Sequence, residues 1–148
     1  MSGNMSTAFA TAPPPSETDN RVLTIGIVGA GEVATKIHLP VLTAMPGIRL
    51  AYVADVSGTA AKAAGESYGI QSLTISDNGS VLPVTDVVLL STPVGARTVY
   101  YDLFASRRTA VLAEKPLAVS SKEALRLCGL FPEHALACGF QRRAYASV

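Results

Sequence analysis

Three small residues in one short stretch carry the first chemical signal. In Leu23 to Ala34, Leu-Thr-Ile-Gly-Ile-Val-Gly-Ala-Gly-Glu-Val-Ala, the residues Gly29, Gly31 and Ala34 stand at the three positions of a G-x-G-x-x-[G/A] fingerprint. The first permits a sharp turn out of a strand. The second lets a diphosphate approach the backbone, and the third lets helix and strand pack closely. The helix then opens at Glu32 and Val33 with free N–H groups and a partial positive charge, which suit a diphosphate. A plain glycine turn in a buried sheet reads the same way, so the surroundings must decide.

Asp55 follows 26 residues after Gly29. A carboxylate there can accept hydrogen bonds from both adenosine ribose hydroxyls and would repel a 2′-phosphate, which favours NAD over NADP. Ser57 and nearby backbone could still admit a phosphate, and a solvated Asp at a strand end is the plainer reading. Thr92-Pro93 is either a strand terminator, since proline cannot continue a central ladder, or a wall of a nicotinamide-ribose pocket. Glu114-Lys115-Pro116 carries the most chemistry. Lys115 could hydrogen-bond a substrate hydroxyl or carbonyl, orient the nicotinamide or serve in proton transfer. The competing reading is a surface ion pair with Glu114, worth little.

His38 alone reads as packing or capping, and His134 as a turn residue without a partner. Cys128 and Cys138 read as reduced core residues, because no His or Cys ligands stand at metal spacing. No metal is expected. Gln141 follows the last strand. Arg142 and Arg143 could meet a phosphate or carboxylate, or lie on the surface or at a seam with another domain. There is no G-x-S-x-G elbow and no Walker lysine.

The elements that must position these residues alternate regularly. Strands are expected over Leu23 to Val28, Arg49 to Ala54, Gln71 to Ile75, Val87 to Leu90, Ala110 to Ala113 and Leu136 to Cys138. Between them, a helix starts near Glu32 with Val33 and Ile37 on its apolar face. It breaks near His38, restarts at Pro40 and stops by Pro46-Gly47. Thr59 to Tyr68 forms a second helix with Gly69 as C-cap, and Ser76 to Val84 reads as loop. Ala96 to Ser106 forms another, with Val99, Leu103 and Phe104 on one side. The last begins at a Ser120–Glu123 capping box, with Leu127 and Leu130 inward. Such alternation specifies an α/β fold: a Rossmann-type doubly wound parallel sheet of about six strands, helices on both faces. In such sheets ligands bind beyond the carboxyl ends of the strands. Gly29, Gly31, Asp55, Thr92, Glu114, Lys115 and Gln141 all fall there, which turns a weak fingerprint into a strong one.

Composition narrows the class. Of 148 residues, 49% are hydrophobic and 16% charged, with a formal charge of +1. That supports a filled core and gives nucleic acid no basic footprint. No apolar run approaches the roughly 20 residues that span a bilayer, and the cysteine usage fits a cytoplasmic protein. Residues 1–21, rich in Ser, Thr, Ala and Pro, read as a disordered leader rather than a signal peptide. Met5 is an alternative start. Residues 22–148 read as one dinucleotide-binding domain.

From about Thr24 to Tyr145 the chain resembles the Gfo/Idh/MocA oxidoreductases. The resemblance rests on Gly29-x-Gly31-x-x-Ala34, His38-Leu39-Pro40, Ala54-Asp55, Thr92-Pro93, Glu114-Lys115-Pro116-Leu117 and Gly139-Phe140-Gln141-Arg142-Arg143, in that order. It implies an N-terminal domain that binds NAD or NADP, and a C-terminal α/β domain that forms the substrate wall and often an oligomer interface. Hydride would move between nicotinamide and a CH–OH carbon of a sugar, inositol or related polyol. Lys115 would match the lysine that contacts substrate and nicotinamide, and Asp55 the ribose-binding acid. The Lys115–Pro116 bond is cis in some similar motifs. The expected cofactor-binding residues are therefore Gly29, Gly31, Glu32, Val33, Ala34, Asp55, Thr92, Pro93, Glu114, Lys115 and Gln141, with Lys115 also catalytic.

Departures are visible. Arg97 stands where the family often has a His, and the segment before the fourth strand is loopier than usual. The substrate domain, with its downstream Asp and His, is absent from this sequence. The expectation is thus the nucleotide-binding domain of an NAD(P)-dependent oxidoreductase, in a truncated or partial chain, with a homo-oligomer if the second domain is present. The competing expectation is a stand-alone, non-catalytic NAD-binding module. A Rossmann-like methyltransferase is disfavoured, because Ile27-Val28 replaces its acid before the glycines.

Overall fold

A computed structural model describes residues 21–76, 82–132 and 135–140. Residues 1–20 of the proposed leader, most of the loop before the fourth strand, His134, Gln141, Arg142, Arg143 and Tyr145 lie outside the described residues. Six parallel strands form one sheet: β1 Leu23–Val28, β2 Ile48–Asp55, β3 Gln71–Thr74, β4 Val87–Leu90, β5 Ala110–Ala113 and β6 Leu136–Cys138. Their order is β3-β2-β1-β4-β5-β6, so the chain reverses direction across the sheet between β1 and β4. That is the doubly wound dinucleotide-binding order, and its reversal point is where ligands enter such sheets.

Helices cover both faces because the strands are apolar on both. On one face Ile27, Val53 and Leu89 pack under Ala34, Leu39 and Ala64, from the first helical segment, α1 (Leu39–Ala44) and α2 (Gly58–Tyr68). On the other, Val28, Tyr52, Val88, Leu90 and Val111 meet Tyr100, Tyr101 and Phe104 of α3 (Thr98–Ser106) and Leu127 of α4 (Ser121–Leu130). Alternate residues of each strand serve opposite layers, as the period of two requires. The Tyr52 ring lies against Gly26, where a Cβ would come within 2.2 Å of it.

The first helix differs from the expected break. Ala34–His38 is a π-helical segment that runs directly into α1. The Leu39 N–H reaches back to the Ala34 carbonyl, and Pro40 falls within the first two positions of α1. A proline inside a helix lacks one N–H and crowds the preceding turn; the wide turn just before Pro40 gives it room, and the helix continues. The wide turn also changes the faces. Ala34 and Leu39 are buried, while Val33 and Ile37, expected inward, are 41% and 56% exposed.

Two further expectations shift. In α3, Tyr100, Tyr101 and Phe104 face inward and Val99 outward, because a 3-10 turn at Val94–Ala96 precedes the helix and rotates its start. Cys128 is exposed and Cys138 partly buried, so Cys128 is not a core residue. The α2 and α4 ends match their signals. Gly69 closes α2 at φ 65°, and the Ser120 hydroxyl accepts from the Glu123 N–H. Among the described residues no helix is long and apolar enough to cross a membrane.

Candidate functional site

Sheet register sets the site. Ala54, Val28, Leu90, Ala113 and Cys138 pair across β2, β1, β4, β5 and β6. The residues one step beyond, Asp55, Gly29, Ser91, Glu114 and Gly139, therefore share one rim. At the reversal point, Gly29, Gly31, Asp55, Ser91, Thr92, Pro93 and Tyr100 line a cleft of about 290 Å³.

On the β1 side the backbone does most of the shaping. Gly29 has φ 102°, and a Cβ there would lie 2.7 Å from the Ser91 backbone. Gly31 has no atom within 4 Å of where its Cβ would stand. The first glycine is required by the protein itself; the second leaves space open. Asp55 is fixed rather than free. Its Oδ2 accepts from the Ala30 N–H at 2.7 Å and its Oδ1 from the Ser57 N–H at 2.8 Å. One carboxylate thus ties the glycine turn to the start of α2. Burial, and secondarily the Asp55 charge, push the Tyr100 phenol upward.

On the β4–β5 side, side chains cross between elements. Ser91 Oγ and Thr92 Oγ1 are buried without a hydrogen-bond partner among the described residues. Buried hydroxyls of this kind are uncommon in native proteins and ask for an explanation. Arg97 is 3% exposed and donates from Nε and Nη2 to the Thr92 carbonyl, at 2.8 and 2.6 Å. Its Nη1 donates to the Pro116 carbonyl at 2.7 Å and also to the Glu114 carbonyl. The Tyr101 hydroxyl donates to the Leu117 carbonyl at 2.8 Å. The intervening Lys115–Pro116 bond is cis.

Glu114 does not pair with the Lys115 ammonium. Its Oε1 lies 2.7 Å from His38 Nε2, and its Oε2 accepts from the Lys115 backbone N–H. Lys115 is exposed, and among the described residues its ammonium has no hydrogen-bond or ion-pair partner. His38, Glu114, Lys115 and Gly139 line a second cleft of about 370 Å³ with Val33 and Ile37. Burial, then the Glu114 charge, raise the Cys138 thiol pKa against the opposing influence of Arg97.

The rim thus gathers Gly29, Gly31, Asp55, Thr92, Pro93, Glu114 and Lys115. Ala34 is buried beneath the turn, Val33 borders the second cleft and Glu32 pairs with Lys36 on the surface. Two residues were not singled out as site groups, His38 and Arg97. His38 reaches Glu114 because the π-helical turn carries it over β5. Arg97 had only the signal of an unexpected residue type.

A dinucleotide fits this arrangement. The Gly31 position is an open cradle that any side chain would enter, and Ser91 and Thr92, whose buried hydroxyls have no partner among the described residues, line the same cleft. Among the described residues no three His, Cys, Asp or Glu side chains gather to hold a metal.

A sequence model of an oxidoreductase family, the NAD-binding Rossmann fold of Gfo/Idh/MocA proteins, matches residues 23–141. The chain belongs to the Gfo/Idh/MocA family. Curated relatives include the dTDP-3,4-didehydro-2,6-dideoxy-alpha-D-glucose 3-reductase of Streptomyces violaceoruber, 30% identical over 78% of this chain and 34% of that protein. The inositol 2-dehydrogenase of Rhizobium meliloti is 30% identical over 70% of this chain and 30% of that protein. The chain therefore spans about a third of the length of these relatives. Among solved structures, a Gfo/Idh/MocA oxidoreductase from Vibrio cholerae superposes with a TM-score of 0.72 at 27% identity, covering 82% of this chain and 39% of that one. A 3-ketoreductase from Actinomadura kijaniata in complex with NADP gives 0.68 at 25%, covering 77% and 36%. The fold is thus an oxidoreductase NAD(P)-binding domain, as the strand-end motifs implied.

Proposed function

We propose that residues 22–148 form the cofactor-binding domain of an oxidoreductase that acts on the CH–OH carbon of a sugar, inositol or similar polyol. The observation that carries this reading is the convergence of the open Gly31 position, the anchored Asp55 and the Ser91-Thr92 strand end on one cleft at the sheet's reversal point. The activities named for the two curated relatives support the substrate class.

When bound, the nicotinamide exchanges a hydride with the carbinol carbon as alcohol and ketone interconvert. The chain's own residues do the rest. The amides of Gly31, Glu32 and Val33 hold the diphosphate, since those of Gly29 and Ala30 already donate to the Ala54 carbonyl and to Asp55, and the turn stays close because Ala34 packs beneath it. Asp55 accepts from the adenosine ribose hydroxyls with the lone pairs its two backbone bonds leave over. Held on both sides, it cannot swing away from a 2′-phosphate, so NAD is preferred. Thr92 and Pro93 wall the nicotinamide ribose. Lys115 holds the substrate oxygen through its ammonium and gives or takes the proton at that atom.

Calorimetric titration with NADH and NADPH tests the reading. Tighter NADH binding is expected. No binding of either at millimolar concentration would overturn it, and tighter NADPH binding would overturn the role given to Asp55. Cofactor binding without turnover, even with a plausible second chain supplied, would favour the non-catalytic module.

A further inference from the structure

Arg97 takes no part in the contacts assigned above, yet its guanidinium is almost wholly buried. A charge is buried only where something satisfies it. Here the acceptors of its hydrogen bonds are backbone carbonyls, the Tyr101 hydroxyl interacts with it as well, and among the described residues no carboxylate pairs with Arg97. The carbonyls come from two places. Thr92 follows β4, whereas Glu114 and Pro116 stand on either side of Lys115 after β5. One planar fork therefore fastens the loop after β4 to both flanks of Lys115. Neither an ammonium nor an imidazole could reach this set with the same spread of donors. Arg97 also engages the carbonyl of Thr92, a residue that lines the cleft, while the buried Thr92 and Ser91 hydroxyls have no partner among the described residues.

We propose that Arg97 is a positioning residue for the nicotinamide end of the cofactor. It fixes the Ser91-Thr92 loop and the Lys115 step relative to each other, and so sets the groups that meet the nicotinamide riboside. The proposal rests on the cofactor reading given above, but makes a separate claim. Arg97 acts on one end of the dinucleotide and leaves the adenosine end, held from β1 and β2, unaffected.

The test compares NADH with ADP-ribose, which lacks the nicotinamide. In Arg97→Lys the charge stays and the fork is lost. NADH affinity is expected to fall about tenfold, while ADP-ribose stays within about twofold, because only the nicotinamide end loses its alignment. A general structural role would weaken both ligands equally, and that result would overturn the proposal, as would no change in either. Wild-type protein that bound neither ligand would sink the cofactor reading and this one with it. Binding of both, lost equally in the variant, would sink this one alone. Should the variant not fold, the wild type supplies the measurement by NMR. The Arg97 guanidinium N–H resonances are expected to shift on adding NADH and to stay put on adding ADP-ribose; an identical response to the two would overturn the proposal.

Discussion

The two sides of the cleft lie on one rim but are held by different means. After β1 and β2, the shape comes from backbone: a glycine at φ 102°, an open glycine two residues on, and one carboxylate gripping two amides. After β4 and β5, it comes from long side chains that cross between elements, Arg97 to three carbonyls and His38 to Glu114. Local backbone constraints are written in short stretches of sequence. Crossing side chains depend on where separate elements come to rest. The first side should be brittle to small changes, and the second should fail in graded ways.

The largest expected effect separates the two glycines. Gly29→Ala forces an L side chain to positive φ and into the Ser91 backbone. It should lower unfolding free energy by at least ~3 kcal/mol in denaturant titration. Gly31→Val meets open space, so stability should stay within ~1 kcal/mol while NADH affinity drops about a hundredfold or more. Equal damage to folding from both would break the distinction between a structural and a ligand-facing glycine.

Asp55→Ala comes next. It removes the ribose acceptor and releases the Ala30 and Ser57 amides. NADH should weaken about tenfold and the preference over NADPH should narrow or reverse in paired titrations. An unchanged cofactor ratio would show that selectivity lies elsewhere.

His38→Ala addresses the second side. The His38–Glu114 contact is only about one-fifth exposed. Its loss should cost about 1 kcal/mol of stability, and should let the Glu114 carboxylate turn toward the free Lys115 ammonium. A Glu114–Lys115 ion pair in a crystal structure of the variant would sharpen the view that His38 keeps Lys115 free. An unmoved Glu114 would discard it.

The smallest effect belongs to the opposite rim and serves as a control. Asp86 accepts from the Thr24 N–H and hydroxyl and pairs with Arg21, and these contacts, the Thr24 amide first, hold its carboxyl below the usual range. A lowered pKa means stability that is present above the unfolded value, about pH 4, and is lost as pH falls through the folded value. Asp86→Asn should therefore melt slightly lower at pH 7 and converge with wild type in acid, with cofactor affinity unchanged. Scanning calorimetry across that pH range checks it.

Much of the fold was legible because its signals are local. The runs at Val87–Leu90 and Ala110–Ala113, Gly69 after α2 and the Ser120–Glu123 box each act within a few residues. Where a reading missed, an irregular turn of backbone or a distant partner had decided. Val33 and Ile37 have helical spacing, but the π-helical turn that accommodates Pro40 rotates them outward. Glu114 and Lys115 are neighbours in sequence, yet the carboxylate turns to a histidine 76 positions away.

The sequence by itself determined the parallel doubly wound sheet and the row of polar residues at its carboxyl edge, since strand period, glycine turns and helix caps are short-range physics. Only the tertiary structure decided that Asp55 is pinned by two amides, that Arg97 is buried among carbonyls, and that the Lys115 ammonium has no partner among the described residues. Those outcomes depend on which groups three-dimensional packing brings within about 3 Å of one another, and no local pattern encodes that distance.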